Sequence, residues 1–160
     1  MAEAVVNASP LIYLSSTGHL DLLCLAGAPI VVPEAVAREV LRWGEDDPAR
    51  RALANVQWLR TVPDPPVPAA ITAWDLGAGE SVVLGWALAH PGVTAVIDDL
   101  AARRCAQALR LPVRGTLGLV LTARSRGSIP SARRVLGELR EAGMYLSDAV
   151  ADRALALVGE

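Results

Sequence analysis

Five oxygen-bearing side chains stand where oxygen can do chemistry. Asn7 closes the short apolar run Ala4-Val5-Val6, and Asp98 and Asp99 close the apolar run over 93–97. Glu39 lies in a helical pattern that opens at Pro33, and Glu80 follows Gly77-Ala78-Gly79 at the start of an apolar helical pattern. Each has an ordinary explanation. Asn and Asp form turns and cap helices. Glu80 suits the positive end of a helix macrodipole. With residues placed at about 100° steps, Glu39 falls about 60° from the apolar stripe of Val36, Val40 and Trp43, at the border of the buried face. A carboxylate there loses solvation unless an arginine or hydrogen-bond donors compensate. On the same wheel Glu34 is solvated, and Arg38 and Arg42 point away from the stripe.

Taken together, these positions form a candidate pocket of concentrated negative charge. Like charges at close range raise one another's pKa and oppose folding. A hard divalent cation resolves that conflict, and oxygen ligands suit Mg²⁺ or Mn²⁺. Such an ion lowers the pKa of bound water and stabilises charge on a phosphoryl oxygen.

These residues need a scaffold that gathers them. Short apolar runs at 4–6, 30–32, 58–62, 93–97 and around Val113 read as strands. Helical patterns fall at 9–14, 20–25, 33–43, 47–55, 77–90, 100–111, 116–126, 131–142 and 147–158, with Ser9-Pro10 as an N-cap followed by proline. The alternation predicts a parallel sheet covered on both faces. In such sheets ligands bind beyond the carboxyl ends of the strands, where strand order reverses. Pro63-Asp64-Pro65-Pro66-Val67-Pro68 reads as a rigid surface loop.

Composition narrows the function. The chain has 160 residues, 52% hydrophobic and 20% charged, which predicts one folded domain over 1–160 rather than disorder. No apolar run reaches the ~18 residues of a membrane span. The N-terminus carries Glu3 and no basic stretch, so a secretory leader is not expected. Cys24 and Cys105 lie in apolar stretches and read as reduced core thiols of a cytoplasmic protein. All 15 basic residues are arginine, which excludes a P-loop and a lysine Schiff base. The glycines at 77 and 79 fail the dinucleotide fingerprint, since valine stands at 82. Eight arginines and no acid lie between Leu100 and Gly137, whereas residues 34–80 carry eight acids and five arginines. With aromatic residues at only 4%, an aromatic platform for bases is not expected. His19 and His90 have no evident catalytic partner.

Val5-Val6-Asn7-Ala8-Ser9-Pro10-Leu11-Ile12 resembles the opening of PIN-domain proteins. The segment from Val32-Pro33 to Glu39 resembles their second-acid segment, and Gly77-Ala78-Gly79-Glu80 their third-acid helix. Val96-Ile97-Asp98-Asp99, with Ala102-Arg103 and Ala106, resembles the fourth-acid segment. Val113-Arg114-Gly115-Thr116-Leu117-Gly118 is similar to the segment that follows it. The order and spacing carry the likeness, which spans the whole chain and points to a prokaryotic branch related to VapC-type toxins. It implies a three-layer α/β/α fold with a short-stranded parallel sheet, Mg²⁺ or Mn²⁺, and hydrolysis of RNA phosphodiesters. Asn7, Glu39, Glu80 and Asp98 become the metal and catalytic candidates, with Asp99 an adjacent fifth. Ser9 and Thr116 stand behind them, Ser9 orienting Asn7 or a bound water. Arg103, Arg104 and Arg114 become candidate RNA contacts. An antitoxin protein is an implied partner, and the apolar helices over 11–25 and 78–90 offer a homodimer surface, with ordinary core packing favoured for the second. Asn7 stands where most PIN nucleases have Asp, so the alternative is a PIN-like module that binds nucleic acid or protein with weakened or lost catalysis.

Overall fold

The computed structural model describes residues 2–160. The elements run β1 (Ala4–Val6), α1 (Ala8–Ser16), a 3-10 helix (Leu20–Leu25), β2 (Ile30–Pro33), α2 (Glu34–Leu41), α3 (Pro48–Asn55) and β3 (Leu59–Val62). They continue with α4 (Ala69–Thr72), α5 (Ala78–Ala89), β4 (Thr94–Val96), α6 (Leu100–Ala108), β5 (Val113–Arg114), α7 (Thr116–Ser125), α8 (Ala132–Glu141) and α9 (Asp148–Ala156). The strands form a parallel sheet in the order β3-β2-β1-β4-β5. Ala4, Val5, Val6, Ile30, Val31, Val32, Ala95 and Val96 are fully buried. Strands this short are buried on both faces only when helices cover both, and the architecture is three-layer α/β/α.

Local chemistry explains most boundaries. Asp47 caps α3 by accepting from the Ala49 amide at 2.9 Å, and Pro48 follows it at the first helical position. Ser131 and Ser147 cap α8 and α9 in the same way. α5 is buried along Gly79, Val82, Val83, Leu84, Gly85 and Ala87, as an almost wholly apolar sequence requires. Three boundaries depart from the sequence reading. α1 begins at Ala8 with Asn7 at its N-cap position, so Ser9 is a first-turn residue and not the cap. The leucine-rich stretch after Gly18 is a 3-10 helix, and a single turn, α4, stands where no element was expected. Cys105 is buried, Cys24 is half-buried, and both are free thiols.

The proline-rich segment works as a strap. Asp64 accepts from the Ala35 amide at 2.8 Å and from Arg38 Nη2 at 3.0 Å, which ties the loop to the first turn of α2. Two residues on, the Pro66 carbonyl passes so close to α5 that a Cβ on Gly85 would lie 2.9 Å from it. One loop therefore contacts both helices that carry the candidate glutamates. A side chain at Gly85 meets backbone, which cannot swing aside. Gly85→Val is expected to lose about 1–3 kcal/mol in urea unfolding. Gly118→Ala is the control: it has open space within α7 and is expected to be neutral or stabilising by up to about 1 kcal/mol.

Candidate metal and nucleic-acid site

β1 and β4 are neighbours in the sheet, yet β2 and β3 intervene between them in the chain on the other side of β1. Strand order reverses there. The register Val6↔Val96 places Asn7 beside Ile97, and the Asn7 amide donates to the Val96 carbonyl at 3.0 Å. Asn7 and Asp98 thus leave the sheet at adjoining carboxyl ends, at the crevice the strand order creates.

Asn7 is 3% exposed and occupies a helix N-cap position, where Asn is among the best capping residues. Its side chain makes no capping bond. Instead Nδ2 donates to Glu80 Oε1 at 3.1 Å, and Oδ1 is buried with no hydrogen-bond partner. Forgoing a cap gives up about 0.5–2 kcal/mol, and an unpaired buried acceptor adds a further penalty. Glu39 Oε2 faces the same spot: a Cβ on Gly79 would lie 2.9 Å from Asn7 Oδ1 and 2.9 Å from Glu39 Oε2. The absence of a side chain at Gly79 lets these oxygens converge. Glu80 Oε2 is turned back onto Gly77, where a Cβ would collide with it. Burial, and next the charge of Glu80, push the Glu39 carboxyl above its usual pKa, while Arg42 pulls it partly back. No ion pair to Glu39 or Glu80 occurs among the described residues.

Asn7, Glu39 and Glu80 are therefore brought together. No cluster of three His, Cys, Asp or Glu side chains poised for a metal occurs among the described residues. The set here is two carboxylates and an amide oxygen, and its chemistry suits a hard divalent ion. It offers oxygen donors only, a lone pair that no protein group satisfies, and two negative charges held close without a protein cation bridging them.

Asp98 is held separately. Thr116 donates from its amide to Oδ1 at 2.7 Å and from Oγ1 to Oδ2 at 2.7 Å. Thr116 is fully buried at the start of α7, so the carboxylate is locked across the β4–β5 gap. Arg103 Nη1 packs on Gly115 beside Asp98 Oδ1. Asp99 is the N-cap of α6, accepting from the Ala102 amide at 2.9 Å, so it serves the helix rather than joining the other oxygens. Ser9 is exposed and does not bond Asn7 Oδ1, so it does not orient Asn7. Arg114 is engaged by the Leu25 carbonyl and the Thr122 hydroxyl, which turns it from an RNA contact into an internal tie. Arg104 is exposed on α6 with no hydrogen-bond partner among the described residues. His19 does have a partner, Glu138, at 2.6 Å.

A cavity of about 370 Å³ opens over Glu39 and Glu80, with Arg38, Arg42, Gly77 and Gly79 also in its lining. The two arginines point away from the apolar stripe of α2, as its wheel indicates, and still line the site. The cavity lies between α2 and α5, and a single-helix wheel does not contain the second helix. The Gly79 contact was missed for the same reason, although the glycine stood next to Glu80 in plain sequence.

The raised carboxyl gives a signed prediction for the metal-free protein. A group whose folded pKa is raised stabilises fully below its unfolded pKa and loses that contribution as pH rises through the folded value. Above its unfolded pKa, the cost of ionising Glu39 in the folded chain opposes folding. In chelator at pH 7, Glu39→Gln is expected to melt above the wild type in differential scanning fluorimetry, with the gap closing towards about pH 4. Adding Mn²⁺ is expected to reverse the order, since only the intact site gains binding energy. A variant that melts lower than wild type in chelator contradicts this electrostatic reading.

A family profile described as PIN domain matches residues 3–160. No curated protein and no solved structure matches the chain. No helix among the described residues is long and apolar enough to cross a membrane. The match covers all the segments that build the carboxyl edge, from Asn7 to Thr116, and the chain belongs to the PIN-domain family.

Proposed function

We propose that this protein is a divalent-metal-dependent ribonuclease that hydrolyses RNA phosphodiester bonds at the Asn7–Glu39–Glu80 edge. PIN domains have a nuclease-type fold, are generally dependent on divalent metal and commonly bind RNA. The observation that carries the reading is the side chain of Asn7, which forgoes its cap and leaves Oδ1 bare beside two carboxylates. Asn7 Oδ1, Glu39 and Glu80 would hold Mg²⁺ or Mn²⁺, which supplies a water of lowered pKa and offsets charge at the phosphoryl oxygens.

The remaining roles belong to the chain. Each Asp98 oxygen commits one lone pair to Thr116 and keeps another for the proton of the attacking water. The water oxygen bonds to phosphorus as the bond from phosphorus to the sugar oxygen breaks, and the departing oxygen takes a proton from solvent. Arg42, with no ion-pair partner among the described residues, faces the phosphate from the cavity rim, while Arg38 is tied to Asp64. Arg103 and Arg104 serve the flanking phosphates. The finer placement beside VapC-type toxins with an antitoxin partner rests on the sequence resemblance, the cytoplasmic reading on the two reduced cysteines, and the homodimer on the apolar helices over 11–25 and 78–90, of which the second is packed in the core as α5.

Purified protein is expected to degrade single-stranded RNA with Mn²⁺ and not in chelator. Asp98→Asn is expected to lower the rate by about 10²–10⁴-fold. Equal rates in chelator, or in that variant, remove the proposal.

The amide at position 7 favours a second reading, a PIN-like module with weakened chemistry that binds RNA or protein. Asn7→Asp separates the two. It removes the Nδ2 donor from Glu80 and adds a third carboxylate, so the metal-free protein is expected to melt lower. Mn²⁺ is expected to bind it more tightly, as calorimetry reads. A gain of cleavage points to a weakened but intact site, and binding without turnover in both forms points to a binding module.

A further inference from the structure

We infer that a second cavity on the same edge is a nucleobase subsite, in which an unpaired base of the RNA strand stacks on Tyr145 and Arg103 holds the adjoining phosphate. This rests on the RNA-cleaving reading of the site and names the form of the substrate. The cavity measures about 330 Å³ and is lined by two charged residues, Asp98 and Arg103, and six apolar or aromatic ones, among them Leu100, Leu117, Met144 and Tyr145. Asp98 places its mouth just beyond the end of β4, the strand that pairs with β1, and Asn7 follows the end of β1. The first cavity is linked to the same edge through Glu80, which lines it and accepts from Asn7 Nδ2.

Tyr145 sits in the loop between α8 and α9 and is 91% exposed. Its hydroxyl has no hydrogen-bond partner among the described residues, and its ring is not packed against the core. Leu100, at the first position of α6, is 61% exposed beside it. A ring and an aliphatic side chain facing water across a small cavity provide the two apolar surfaces that a base needs. Every base has a π-face, and stacking on an aromatic ring is tolerant of sequence. Arg103 adds a cation for phosphate, or for stacking.

The lining decides between a base and a protein partner. Charged residues are depleted from the cores of protein interfaces, yet Asp98 and Arg103 both face this cavity. Its volume lies at the lower end of small-ligand sites, which fits one nucleoside. A base inside a duplex is already paired and stacked, so the subsite selects single-stranded RNA.

The test uses the full chain and short fluorescein-labelled RNA. KM is read from cleavage with Mn²⁺, and Kd from fluorescence anisotropy with Ca²⁺. Tyr145→Ala is expected to raise both by about 5- to 150-fold. Tyr145→Phe and Tyr145→Trp are expected to stay within about twofold of wild type, because they keep the ring. Mn²⁺ affinity by calorimetry is expected to be unchanged in all three, and duplex RNA is expected to be a poor substrate. Arg103→Ala is expected to reduce the salt slope of binding by about one phosphate contact. Wild type that neither binds nor cleaves RNA sinks the ribonuclease reading and this one with it. Wild type that cleaves while Tyr145→Ala keeps its KM and Kd sinks the subsite alone. Loss of a dimer in Tyr145→Ala by light scattering, with RNA binding intact, assigns the cavity to a second copy of the chain and overturns the proposal.

Discussion

Two carboxylates meet from different helices, Glu39 on α2 and Glu80 on α5, and burial first, then the charge of Glu80, raise the Glu39 carboxyl above its usual pKa. Holding a half-buried carboxylate beside a second one is the constraint the site is built around. Nothing in the local sequence of either helix favours the approach. It is imposed by packing: α2 and α5 contact one another, and the Asp64–Pro66 strap touches both. Gly79 removes the side chain that would stand between them. Packing that holds two like charges close leaves a local instability that a doubly charged ion would relieve under the proposed function.

Helix capping shows the same pattern at the strand ends. Asp98 and Asp99 are adjacent, and only Asp99 caps α6. The cap is satisfied, and Asp98 is released to bridge across to Thr116. At the end of β1 there is no second polar residue to take the cap, since Ala8 follows Asn7. The α1 N-terminus goes without a side-chain cap, and the amide reaches Glu80 instead. One strand end has a spare residue for helix stability and the other does without.

Most of this scaffold was legible in the sequence, because short apolar runs alternating with helical patterns have few alternatives to a covered parallel sheet. The strand-closing positions Asn7 and Asp98 followed from that alone. Glu39 was legible as a border residue because its wheel angle depends on one helix only. What could not be read from single elements was anything that two elements make together. Arg38 and Arg42 point away from the core stripe of α2, yet they face the cavity because α5 supplies its other wall. Arg114 belonged to an arginine-rich stretch, but its guanidinium is consumed by Thr122 and the Leu25 carbonyl. An aromatic content of 4% argues against a platform of rings, and says nothing about one exposed ring such as Tyr145 on one loop.

Asparagine at position 7 sits between two demands. A carboxylate there would bring the site to three negative charges, strengthening attraction for a divalent ion and worsening repulsion in its absence. The amide removes one charge and also converts a neighbour from repelling to bonded, since Nδ2 donates to Glu80. The same group keeps an oxygen free for a cation. An apolar residue would satisfy neither side, and serine would not reach as far. The amide lowers the electrostatic strain at this edge while retaining an oxygen donor, so under the proposed function it would trade affinity for metal against stability of the metal-free chain.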